Sequence, residues 1–256
     1  MATNWGHVNT GTNSLKLLLI GPKRTGKSSV GNTLLGRLSF ETWGGASTTA
    51  AHGSFNGRQL SVVDTFGWGT GENHVPKREK LELLNGLSLC EPGPHALLLV
   101  LPLLRFTQSD RTALQRRMEL LTEGAWRHTI VVFTLGDRLQ GQTIQEYLQA
   151  GGEHLEWLLT KCRYRYRVLN NKTPFNREQV SGLLDHVEDM LMENGHWHFS
   201  LHMYRRLEEE WTRRELETLE RMEKREGERR ICPPTYQRRL ALPNGNDGPL
   251  KVISHG

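Results

Sequence analysis

The chain has 256 residues, 36% of them hydrophobic and 24% charged, with a formal net charge of +5. That length suffices for one globular domain and an appendage, and so small a basic excess suits an anionic ligand better than nucleic acid. Three widely spaced cysteines, Cys90, Cys162 and Cys232, argue against a disulfide framework or a zinc site and suit a reducing, cytoplasmic setting. No apolar run approaches the ~20 residues of a membrane span, and the polar start of the chain offers no signal-peptide core.

The first fourteen residues read as a flexible terminus. Residues 15–20, LKLLLI, read as a buried strand running into a Gly-rich loop, with a helix over 27–35 ended near Gly36. Residues 39–53, rich in Gly, Ser and Thr, are expected to be a mobile loop. Asn56-Gly57 then marks a hairpin between strand-like residues. HALLLVLPL and HTIVVFTL are continuous apolar runs of the kind a doubly covered parallel strand shows. Helix-like stretches fall at 75–89, 107–122, 143–161, interrupted at Gly151-Gly152, and 177–192. In RYRYRVLNNK, alternation predicts a strand with Arg163, Arg165 and Arg167 on one face. The alternation of strands and helices implies an α/β fold with a mostly parallel sheet.

From 196 to 230 the character changes. Between Tyr204 and Arg230 nine Lys or Arg offset nine Glu, and Tyr204, Leu207, Trp211, Leu219 and Met222 share one helical face. This predicts an amphipathic helical extension, followed by a disordered tail over 231–256.

Gly21-x-x-x-x-Gly26-Lys27-Ser28 fits the pattern G-x-x-x-x-G-K-[ST] between a strand and a helix, the context a phosphate-binding loop requires. Its glycines turn successive N–H groups toward phosphate oxygens, Lys27 would bridge the β- and γ-phosphates, and the Ser28 hydroxyl would be a magnesium ligand. The candidate phosphate-binding residues are Gly21, Lys23, Arg24, Thr25, Gly26, Lys27, Ser28 and Ser29. Lys23 and Arg24 either add charge for the phosphates or point into solvent, and solvent is the expectation. In VVDTFGW, Asp64 ends a strand as the acid of a D-x-x-G arrangement. It would hold magnesium through a water, and the Gly67 N–H could sense the γ-phosphate. Thr48 or Thr49, in the loop between, could close over the metal; Thr48 is taken as the candidate. Asp137 follows an apolar strand in FTLGD, where a carboxylate can accept both the N1–H and N2–H of guanine.

With these boxes, GKSSVGNTLLG, SVVDTFGW, LLLVLPLLRFTQSDR, WRHTIVVFTLGDRL and RVLNNK, the sequence over about 15–192 resembles the GIMAP family, the immunity-associated GTPases with an AIG-type G domain, and most closely its fish branch. The resemblance implies a Ras-like G domain over 15–195 with a six-stranded, mostly parallel sheet, guanine-nucleotide binding with Mg2+ (GTP or GDP), and nucleotide-dependent homo-oligomerisation. It places Asn170 at the guanine pocket, with Asn171 as the less certain neighbour. The chain departs from the family at Phe66, which stands where the family usually has Pro, and in a switch loop two or three residues shorter.

Trp68 occupies the place where Ras-type switches carry a water-orienting Gln, so hydrolysis by the isolated chain is expected to be slow. Arg105, after the strand HALLLVLPL, is the candidate catalytic cation for a neighbour's phosphates across a dimer; a plain surface Arg is the equally weighted alternative. A GTP-binding scaffold without turnover is a second reading of the chain. A P-loop kinase is a third, and Asp137 counts against it. A basic tail could touch an anionic membrane surface, though no lipidation motif supports anchoring.

Overall fold

In the first strand, β1 (Ser14–Ile20), alternate leucines face two different cores: Leu15, Leu17 and Leu19 one, Leu18 and Ile20 the other. A strand buried on both faces cannot sit at a sheet edge, and β1 is central. The computed structural model describes residues 14–231 except 44, 46, 70–73, 174 and 175. The terminus expected over 1–14 and the tail expected over 231–256 therefore lie outside it, save Ser14 and Ile231.

The remaining strands are β2 (Thr49–Phe55), β3 (Arg58–Asp64), β4 (Ala96–Pro102), β5 (Thr129–Thr134) and β6 (Tyr166–Val168), in the order β2-β3-β1-β4-β5-β6. Only the β2–β3 pair is antiparallel. It is joined by the expected hairpin, in which Asn56 and Gly57 both take positive φ, 49° and 80°. The helices are α1 (Lys27–Leu35), α2 (Lys77–Ser88), α3 (Gln108–Glu119), α4 (Ile144–Ala150), α5 (Gly152–Lys161), α6 (Arg177–Glu193) and α7 (Leu201–Ile231). α1 and α6 cover one face of the sheet; α3 and α5 cover the other. Each leucine or valine so buried stabilises the fold by about 1.5–3 kcal/mol relative to exposure.

Two expectations for local structure are corrected. The described residues of the loop expected over 39–53 are not all irregular. The Asn32 side chain binds the backbone of Ser39 and Phe40, and β2 already begins at Thr49. The residues TAAHG have little strand propensity of their own, so pairing with β3 decides their conformation. The alternation expected over 163–168 also fails at its start. Arg163 and Tyr164 lie in a turn after α5 with φ of 53° and 55°, and β6 keeps only Tyr166–Val168.

The chain divides into two compact units, one running to Leu207 and one beginning at Glu208. The first turns of α7 thus belong with the sheet, beyond the boundary expected at 195. Phe199 is buried and stacks on Tyr204 at 5.5 Å, and the Tyr204 hydroxyl lies 3.0 Å from His128 Nε2. Tyr204 can approach because position 124 is glycine: a Cβ there would lie 2.1 Å from the tyrosine ring. Gly124→Ala is therefore expected to displace Tyr204 and cost about 1–3 kcal/mol, measured by denaturant unfolding. An unchanged midpoint would show that the Tyr204 seat contributes nothing to stability. In the second unit α7 continues with Trp211, Leu219 and Met222 exposed and with i,i+4 pairs Arg214–Glu210 and Arg221–Glu217. No helix among the described residues is long and apolar enough to cross a membrane.

Candidate functional site

The carboxyl ends of the parallel strands form the edge where open α/β sheets bind ligands, and the phosphate loop leaves β1 there. Gly26, with φ of 92°, lets the chain turn from that loop into α1. Thr25 is buried within it: its hydroxyl donates to Pro22 O at 3.0 Å, and its carbonyl accepts from Thr134 Oγ1 at 2.7 Å. Gly21 ends β1.

The loop opens on a cavity of about 400 Å³. Lys23, Arg24, Gly26, Lys27, Ser28 and Ser29 line it from the loop, and Asp64 and Gly67 from the far side. Eight of the sequence candidates are thereby brought to one place. Lys27 is buried, and its Nζ donates to Pro22 O at 2.8 Å. Burial pulls its ammonium down to about 8, with Asp64 opposing the shift and Lys23 adding to it. Ser28 Oγ donates to Asp64 Oδ2 at 2.5 Å, while Asp64 Oδ1 is buried without a hydrogen-bond partner. Burial raises the Asp64 carboxyl, with Ser28 and Lys27 opposing. A paired hydroxyl and carboxylate, one oxygen of which is buried and unsatisfied, form the donor set a hard divalent cation takes. The residues present fit Mg2+.

The D-x-x-G segment is pressed against the loop. Lys23 N–H donates to Trp68 O at 2.8 Å, and a Cβ on Gly67 would lie 2.6 Å from Lys27 Nζ and 2.8 Å from Lys23 backbone. Only glycine fits there. Behind it, Glu79 accepts from Gly69 N–H at 3.2 Å and is paired with Arg117 at 2.7 Å, both side chains buried. Trp68 is buried in the α3 and α5 core, so its ring is packing.

Three candidates sit differently from expectation. Thr48 does not line the cavity. It is buried, its N–H donates to Glu82 Oε2 at 2.8 Å, its hydroxyl donates to Glu82 O at 3.1 Å, and that hydroxyl accepts from Phe66 N–H at 3.2 Å. Two of these hydrogen bonds tie it to α2 and the third to Phe66; Thr42 and Ser47 face the cavity from the same loop. Thr49 begins β2, in register with Asp64. Lys23 does not simply point into solvent: its Nζ lies 4.7 Å from the Phe66 ring centroid. Asn170 spends its side chain on a local turn, Oδ1 accepting from Lys172 N–H at 3.0 Å. Asn171 is the residue against the phosphate loop, its Nδ2 3.0 Å from where a Gly26 Cβ would be and its Oδ1 buried and unpartnered.

Asp137 lies in a 3-10 turn, Gly136–Leu139, directly after β5. Lys172 Nζ donates to Asp137 Oδ2 at 2.5 Å and holds the carboxyl below its usual range. The acid after β5 is thus paired with a cation from the next loop. Sequence reasoning missed this pair, although Lys172 stands at the end of the LNNK box. It also missed Arg78 of α2, which lines the cavity and carries no motif. Arg105 follows β4 and is exposed.

This sheet order, with a phosphate loop leaving its central strand, defines a P-loop GTPase domain. The chain belongs to the AIG1 family, whose model matches residues 15–218. It is 30% identical over 199 residues to human GTPase IMAP family member 8, a match covering 74% of this chain and 28% of that protein. It is 32% identical over 225 residues to Arabidopsis thaliana immune-associated nucleotide-binding protein 9, covering 82% and 65%. The chain therefore spans less than two thirds of either relative's length. Among solved structures, it is similar to Toc33 from Arabidopsis thaliana in complex with GDP and Mg2+, with a TM-score of 0.53 and 18% identity over 70% of this chain and 86% of that one. A second structure concerns the chloroplast translocon components atToc33 and psToc159, with a TM-score of 0.55, 18% identity, and cover of 70% and 83%. The finer affinity with fish members remains an expectation.

Proposed function

We propose that this chain is a magnesium-dependent guanine-nucleotide-binding protein whose GTP or GDP state governs self-association, with hydrolysis that is slow alone and assisted in a dimer. The observation that carries the reading is the Ser28–Asp64 pair with its unsatisfied buried oxygen, set beside the Lys27 ammonium at the mouth of a phosphate loop. The loop amides and Lys27 would hold the phosphates, Ser28 and Asp64 the metal, and Asp137 and Asn171 the base. Bound magnesium would neutralise charge on the phosphates. Lys27 would present an ammonium to the same oxygens, with Gly67 packed beside it. Toc33, described in complex with GDP and Mg2+, supports the ligand class.

Labelled GTP should bind saturably in the presence of Mg2+, and Lys27→Ala should weaken uptake about tenfold to a hundredfold. The pH profile provides a second check. The free ammonium titrates at about 8, and an anionic ligand binds its charged form more tightly. Affinity should therefore fall as pH rises through 8 toward 9, and Lys27→Ala should lose that slope. No saturable uptake by the wild type would end this reading.

A binding scaffold without appreciable turnover is the second reading, favoured by the burial of Trp68, which leaves no amide where a water-orienting Gln would act. Single-turnover hydrolysis separates the two. For dimer assistance, support comes from the description of atToc33 and psToc159, in which dimerization is important for GTPase activity, and from the exposure of Arg105 at the nucleotide edge of the sheet.

A further inference from the structure

Glu79 and Arg117 are buried charges that belong to no motif, and they meet behind the segment that carries Gly67. Glu79, in the first turn of α2, accepts through Oε2 from Arg117 Nε at 3.2 Å and Nη2 at 2.7 Å. Its other oxygen, Oε1, accepts from Gly69 N–H at 3.2 Å. Arg117 is also tied to its own helix, α3, with Nη1 donating to Ala113 O at 3.1 Å, and its guanidinium lies 6.0 Å from the centroid of the Trp68 ring. On the opposite side, Lys23 N–H donates to Trp68 O at 2.8 Å, and Pro22 pairs with Trp68 in a parallel bridge. Residues 67–69 are thus held between the phosphate loop and the α2–α3 ion pair.

Stability alone gives little reason for such a pair. The cost of taking two charges out of water commonly offsets their attraction, and apolar side chains of similar volume often serve as well or better. What the pair adds is direction. A carboxylate with one oxygen engaged by two guanidinium N–H groups presents the other oxygen along a defined line. Here that line ends on the Gly69 N–H, two residues from the glycine packed against Lys27 Nζ.

We propose that Glu79 and Arg117 are positioning residues that hold Gly67 where its N–H meets the terminal phosphate of a nucleoside triphosphate. The inference rests on the nucleotide reading above and adds to it a determinant of which nucleotide state is held. A diphosphate lacks the group that Gly67 meets, so the pair governs preference for the triphosphate rather than nucleotide binding as such. It acts through the backbone of residues 67–69, since neither side chain is among those lining the cavity.

The test is equilibrium binding, with Mg2+, of GDP and of a non-hydrolysable GTP analogue to wild type, Glu79→Gln and the double variant Glu79→Leu/Arg117→Met, alongside denaturant unfolding of each. Glu79→Gln keeps the length of the side chain but removes the charge that Arg117 engages. The double variant replaces the pair with apolar side chains of similar volume, which keeps the packing while Gly69 N–H loses its acceptor. Both should weaken the triphosphate analogue about tenfold and GDP less than about twofold. In the double variant that selective loss should come with an unfolding midpoint close to that of wild type, which a merely structural role does not allow. Should the double variant fail to fold, the ratio of the two affinities in Glu79→Gln decides. Equal losses for both nucleotides, or none, would overturn the positioning role while saturable uptake by wild type still upholds the nucleotide site. If wild type binds neither nucleotide, both proposals fall together.

Discussion

Arg105→Ala should lower GTP turnover about a thousandfold under conditions where the wild-type rate per chain rises with protein concentration. Phosphoryl transfer is limited by positioning and by charge stabilisation, and an arginine supplied in trans is worth roughly 10³–10⁵ in rate. Within one chain, the position after Gly67 is a buried tryptophan, so nothing there orients a water. Arg105 is exposed after β4, at the same sheet edge as the phosphate loop, where a second copy could present it. The measurement is phosphate release across a dilution series, with nucleotide affinity as the control. Affinity should be unchanged in Arg105→Ala, because the residue is outside the lining of its own cavity. A wild-type rate per chain independent of concentration would remove the dimer mechanism.

Asp137→Asn should move base preference from guanine to xanthine, a swing of about 10²–10³ between the two. A carboxylate accepts from both guanine donors, and replacing it with an amide leaves one donor facing another at a cost of about 1–3 kcal/mol. Xanthine carries a carbonyl in place of the N2 amine, so the same amide can donate to it. Lys172, 2.5 Å from Asp137 Oδ2, keeps the acid ionised and ready to accept. Competition binding of GTP, XTP and ATP reads the outcome. Equal GTP and ATP affinity in the wild type would remove the base-reading role of Asp137.

These two residues also show how far the sequence could be read. Asp137 was found because an acid directly after an apolar strand has a recognisable position, and β5 puts it at the ligand edge. Its partner Lys172 follows β6, 35 residues on, and nothing local announces that the two loops meet. Asn170 and Asn171 are chemically identical neighbours, so composition could not separate them. The turn does: it spends one side chain on its own backbone and turns the other toward Gly26. Thr48 was a reasonable metal candidate by residue type, but Glu82 and Phe66 satisfy it elsewhere.

The sequence by itself determined the strand–loop–helix that makes the phosphate cradle, the alternation that makes a parallel sheet, and the two acids at strand ends. Each rests on contacts between near neighbours, or on burial periodicity that a single segment carries. Only the tertiary structure decided which polar side chains are already satisfied, that the strand β2 reaches back to Thr49, and that Arg78 reaches the Phe66 ring beside Lys23. Those outcomes depend on pairing between distant segments, where hydrogen bonds and close contacts with no local signature outweigh the propensity of the residues themselves.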